Sequence, residues 1–348
     1  MHGRDCQISP ACVHYFYPYQ CANNVTTPTN TSSSAYACGG GIDGNYSIAI
    51  VNTGPVLTPE EQEAVTAAVN KWTSVIVGDT PGVPGPYTIP ANSSCGNAQP
   101  ISLPGGVDDM LVLVNFVPLA SNDSLGVAGV CSVATDGTAS IGFVNINSNQ
   151  VPTMIAAGIL DDVILHEMGH AQGFGILWNL TGLWDCGPEL PASTGVTPDT
   201  YYSCPKALAQ FNAVGGTPYV GNKVPLQNTG GDGIWNIHWR ESVFGDELMT
   251  PFVTAANGTI SPLSVVTVGQ FEDIGHVVNY AAADPYVLPV TADAADGGAP
   301  KVATEGSSEQ KARPFSLAND VKPVDITVLG RGPDGQTVVE RVIKAKED

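Results

Sequence analysis

The chain has 348 residues, 43% of them apolar, which is enough for one large domain or two smaller ones with a substantial core. Thirteen Lys and Arg stand against 33 Asp and Glu, and only five of the basic residues precede position 301. So acidic a body repels phosphate backbones, which argues against nucleic acid as a partner, and no apolar run reaches the length of a membrane span.

Residues 1–44 are rich in Cys, Tyr, Asn, Thr and Gly, show no period, and read as a Cys-rich, disulfide-tied cap. Met1 to Ser9 is polar and lacks the apolar stretch of a secretory leader, so no signal peptide is expected in this chain. The eight cysteines, at 6, 12, 21, 38, 95, 131, 186 and 204, include no C-x-x-C pair; they point to disulfides and an oxidising compartment. Their pairing stays open, with Cys186 to Cys204 and a pair among the first four both reasonable. Sequons at Asn24, Asn30, Asn45, Asn92, Asn122, Asn179 and Asn257 agree with an extracellular or cell-surface glycoprotein.

Tyr46 to Val51 alternates as a strand should, and Thr58-Pro59-Glu60-Glu61 is a capping box opening a helix to about Val77. After a Pro/Gly-rich loop from Gly78 to Gly106, three strands are predicted at Met110 to Val117, Leu125 to Val133 and Ser140 to Ile146. Thr153 is the expected N-cap of a helix whose apolar run, Met154 to Leu165, leads into His166-Glu167-Met168-Gly169-His170 and is stopped by Gly173 and Gly175. Residues 176–233 form too long a stretch for a bare loop and are expected to pack as a small lobe. Ser261-Pro262 is expected to cap a last helix to about Tyr280. A linker from Ala292 to Glu309 then precedes two strands, Val324 to Leu329 and Thr337 to Ile343. Trp178, Trp184, Trp235 and Trp239 lie near the histidine motif, where large aromatics more often pack than line a substrate wall.

Two histidines four apart on a helix share a face, so His166 and His170 can point at one ion with Glu167 beside them. Catalytic zinc takes three protein ligands and leaves a position open. Of the other histidines, His2 and His14 precede the presumed catalytic region and His276 falls in a predicted helix, which leaves His238 as the candidate. A carboxylate third ligand from Glu189, Glu241 or Glu247 is the alternative, and a secreted binding or adhesion protein without turnover is a third reading.

His166 to Gly175, a long insertion, His238-Trp239 and then Glu247-Leu248-Met249 together resemble the leishmanolysin-like metzincins, which interrupt the zinc motif between its glycine and its third histidine. Ile176 stands where the uninterrupted motif has that histidine. The resemblance covers about Tyr46 to Tyr286. It implies an α+β fold: a mixed twisted sheet with an active-site helix, a long insertion before the third histidine, and a mainly irregular or helical lower subdomain. The division it suggests is a catalytic domain at 45–290, preceded by residues 1–44 and followed by a linker and small β-type segment at 291–348. It also implies one catalytic Zn2+ on His166, His170 and His238, Met249 in a tight turn beneath them, and Glu167 as general base to a zinc-activated water. The substrates would be proteins or peptides, and the edge strand pairing with them would be Gly126, Val127, Ala128, Gly129 and Val130. A monomer is expected. In some metzincins a leader cysteine occupies the open zinc position, a part Cys6 could take, although withdrawing one cysteine would leave an odd number.

Overall fold

The structure is a computed structural model that describes residues 44–121, 123–178, 186, 200–216, 223–229, 234–253, 261–289, 315–316, 326–331 and 337–343. The Cys-rich segment with Cys6, Trp184, Glu189, most of the insertion and the linker lie outside these residues, as do all the sequons except Asn45 and Asn92.

Strand β1 (Ile48–Asn52) is followed by helix α1 (Pro59–Val75). Both arms of the capping box form: the Thr58 hydroxyl accepts from the Glu61 amide at 3.2 Å, and the Glu61 carboxylate accepts from the Thr58 amide at 2.8 Å. The Pro/Gly-rich stretch is not a plain loop. It folds into two small antiparallel ribbons, β2 (Val83–Pro84) with β5 (Gly106–Val107), and β3 (Tyr87–Ile89) with β4 (Ile101–Leu103). Strands β6 (Met110–Val117), β7 (Gly126–Val133) and β8 (Ala139–Asn147) follow.

The apolar run before the histidines is two helices rather than one, α2 (Val151–Ala157) and α3 (Leu160–Ala171). Gly158 separates them in a left-handed conformation, φ 69°, that a glycine adopts without steric cost. Thr153 therefore lies inside α2 and caps nothing, while Asp161 and Asp162 sit in the first turn of α3, where acidic side chains suit the helix dipole. Gly173 (φ 115°) and Gly175 (φ 74°) end the helical course.

Within the insertion, β9 (Tyr201–Tyr202), α4 (Pro205–Phe211) and β10 (Val224–Pro225) are described. Then come α5 (Glu241–Phe244), β11 (Phe252–Val253) and α6 (Val265–Asp273). Ser264, not Ser261, caps α6 by accepting from the Thr267 amide, and the helix stops at Asp273, short of Tyr280. The described part of the insertion is no separate lobe: Tyr202, Ala207 and Phe211 belong to the main core, and α4 backbone lies against Gly269 of α6, where a Cβ would come within 3.0 Å of Ala207.

Three C-terminal strands complete the set, β12 (Phe315–Ser316), β13 (Ile326–Arg331) and β14 (Thr337–Ile343). The central sheet is mixed, in the order β1-β6-β8-β7-β13-β14: β1, β6 and β8 are parallel, β7 is antiparallel to β8 but parallel to β13, and β14 is antiparallel to β13. Helices α1 and α3 cover one face through Val65, Val69, Trp72, Val163, Ile164 and Met168. The opposite face carries a smaller core, and the disulfide Cys95–Cys131 ties the ribbon region to β7 there. A second disulfide, Cys186–Cys204, closes part of the insertion. Ile326 and Val328 of β13 lie in the main core and Leu329 in the smaller one, so the C-terminal strands are built into the central sheet. Among the described residues no helix is long and apolar enough to cross a membrane.

Candidate metal centre

Helix α3 presents His166 and His170 from one face, and chain just before α5 supplies His238; all three are fully buried. Their Nε2 atoms form a nearly equilateral triangle, 3.0 Å from His166 to His170, 3.0 Å from His170 to His238 and 3.2 Å from His238 to His166. Each ring is oriented through its other nitrogen. His166 Nδ1 lies 2.6 Å from the Leu248 carbonyl, His170 Nδ1 2.9 Å from that of Phe174, and His238 Nδ1 2.8 Å from that of Ile234. A carbonyl can only accept, so each Nδ1 carries the proton and each Nε2 turns a lone pair towards the same point.

Burial drives all three imidazoles towards the neutral form. It lowers the pKa of His170 to about 4 and, aided by the neighbouring rings, holds those of His166 and His238 well below the usual value. Three converging lone pairs at this spacing suit a cation. A tetrahedral ion with metal–nitrogen distances of about 2.0–2.1 Å requires nitrogens roughly 3.3–3.4 Å apart, close to the triangle found here.

Glu167 is fully buried next to the triad, and neither carboxylate oxygen has a hydrogen-bond partner among the described residues. Desolvation pushes its pKa well above the usual carboxylate range. Gly126 at the start of β7 lies directly over it, and a Cβ built there would come within 2.6 Å of Glu167 Oε1. Gly126→Val is therefore expected to preserve the fold, measured by circular dichroism, while lowering the kcat/KM of any turnover at this centre by about tenfold or more as the carboxylate is displaced, a loss of at least about 1.4 kcal/mol.

Met249 is fully buried beneath α3, its Sδ within 2.9 Å of where a Cβ on Gly169 would stand. It occupies a turn closed by the Thr250 amide donating to the Glu247 carbonyl at 3.1 Å. The buried Glu247 carboxylate holds that turn to the start of α6, accepting from the Met249 amide at 2.6 Å and from the Ser264 hydroxyl at 2.7 Å. Thr267 Oγ1 donates to it as well. Glu247 is thus a tie between segments. Neither it nor Glu241 belongs to the histidine group, and Glu189 lies outside the described residues.

Sequence reasoning missed the three carbonyls, because a backbone oxygen carries no residue signature, and it missed the tying role of Glu247, whose interest there was as a possible ligand. Trp178 and Trp239 are fully buried in an aromatic cluster with Phe174, Tyr202 and Phe244 and form no exposed wall. Trp239 also donates from Nε1 to Thr267 at 2.8 Å.

The mixed sheet over a helix carrying H-E-x-x-H, with a distant third histidine and a methionine turn below, is the arrangement that the sequence resemblance implies for a metzincin-like metallopeptidase. A family model for leishmanolysin matches residues 83–295, more than half of the chain, and the chain belongs to that family of zinc metalloendopeptidases. No curated protein shows a significant match to it.

Proposed function

We propose that this chain is a secreted zinc endopeptidase in which His166, His170 and His238 hold one catalytic ion and Glu167 manages the protons of peptide hydrolysis. The observation carrying this reading is the set of three Nε2 atoms facing one point, each fixed by a carbonyl behind it. A zinc ion there supplies Lewis acidity, which lowers the pKa of water towards about 7 and polarises a carbonyl.

Glu167, its proton affinity already raised by burial, takes a proton from the attacking water and later delivers it to the departing amine. No covalent intermediate with a side chain is required. Met249 supports α3 from below at Gly169, and the Leu248 carbonyl in the same turn keeps His166 in the tautomer that exposes Nε2. An extended substrate adds as a strand to residues 126–130 of β7, a stretch that no described strand pairs on the side away from β8 and whose first residue touches Glu167.

Secretion is supported by the two disulfides, which belong to an oxidising compartment, and by Asn45 and Asn92, two sequons on exposed positions. Hydrolysis of denatured casein tests the reading: a chelator is expected to abolish it, and equimolar zinc added after chelator removal to restore it. Activity persisting in protein shown by elemental analysis to be metal-free would refute it.

A further inference from the structure

The C-terminal tail is attached to chain on both sides of the histidine centre. Below it, β12 pairs antiparallel with β11, whose Phe252 lies three residues after Met249. Above it, β13 runs parallel to β7 and pairs with that strand only at its far end, Thr327 with Ser132 and Val328 with Val133. Residues 126–130 have β8 on one side and no described strand on the other.

The point at which the described pairing on this edge begins coincides with an irregularity in β7. The β7–β8 register shifts between Val130 and Ser132, and Cys131, the residue passed over, is held by its disulfide to Cys95. A bulge bends and twists its strand, so β7 changes course where β13 begins. The hairpin is seated there by burial: Ile326, Val328 and Leu329 are all below a tenth exposed.

We propose that the β13–β14 hairpin is a length stop for the substrate strand. This rests on the edge-strand reading given above. A peptide laid along β7 from the position beside Glu167 can pair with residues 126–130, about 13 Å at roughly 3.3 Å per residue, and then meets β13. Backbone pairing, which gives a strand-adding ligand much of its affinity whatever its side chains, is thereby confined to one short stretch on that side of the scissile bond. Specificity there is limited to about five residues, and the hairpin sets the limit.

The test uses quenched fluorescent peptides built around a bond that the full-length enzyme cleaves in denatured casein, lengthened one alanine at a time on the N-terminal flank and, separately, on the C-terminal flank. On one flank kcat/KM is expected to rise over the first four or five residues and then stay within twofold through residue eight. Thr327→Pro, which removes a backbone donor from β13 where it meets Ser132, is expected to let the rise continue for at least two more residues. An unbroken rise through residue eight in the parent enzyme overturns the stop while leaving the edge-strand reading intact, as does an unchanged plateau in folded Thr327→Pro. No rise on either flank over the first five residues overturns the edge-strand reading, and the stop with it. If Thr327→Pro does not fold, the parent length series decides the matter alone.

Discussion

Glu167→Ala is expected to lower kcat for peptide hydrolysis by roughly 10²–10⁴-fold, the usual contribution of a positioned acid–base group, while zinc stays bound in equimolar amount. The direction follows from the surroundings of the side chain. Both oxygens are buried without a hydrogen-bond partner among the described residues, so Glu167 does little to hold the described apo fold and its ionised form is costly there. The metal-free variant should accordingly melt no lower than the metal-free parent, which separates a chemical role from a structural one. KM is expected to change little, because in the proposed mechanism the carboxylate acts on protons in the transition state. Turnover within tenfold of the parent, measured on zinc-replete protein, would remove Glu167 from the mechanism.

His238→Ala is expected to remove both zinc and activity. Two imidazoles on a helix turn do not make a catalytic site, and no carboxylate belongs to the histidine group among the described residues. Elemental analysis after gel filtration should find the variant close to metal-free, whereas Glu241→Gln and Glu247→Gln keep zinc bound. If His238→Ala retained zinc and a glutamate variant lost it, the third ligand would have to be reassigned to that carboxylate. His238→Ala also strands the Ile234 carbonyl in a buried position, a cost of about 1–3 kcal/mol, so its folding is best checked by near-ultraviolet dichroism before metal is counted.

Much of the geometry behind these expectations was legible in the chain. Four-residue spacing places His166 and His170 on one helical face whatever the tertiary fold, and so few histidines remain that His238 could be singled out. Thr58 and Glu61 specify a helix start by local hydrogen bonding, and both bonds form.

Local signals failed where tertiary packing chose between alternatives. Thr153 has a capping side chain, but the left-handed turn at Gly158 splits the run and starts the zinc-motif helix later. Ser261 and Ser264 are equivalent by residue type. The buried Glu247 bonds Ser264, while Asp162 holds the Ser261 amide at 3.0 Å, and this selects the later start. Two C-terminal strands were recognisable as strands, yet the parallel pairing of β13 with β7 brings together distant parts of the chain that carry no mark of each other.

The carbonyl that holds His166 comes from Leu248, 82 positions further along the chain, and His238 follows His170 by 68. A nascent polypeptide that has exposed only its H-E-x-x-H segment thus owns neither the ring that completes the triangle nor the oxygen that sets the first ring's tautomer. With the ion held by the three histidines as proposed, its loading would be a late event in biogenesis, and a truncated or half-translated product would stay inert towards the proteins around it.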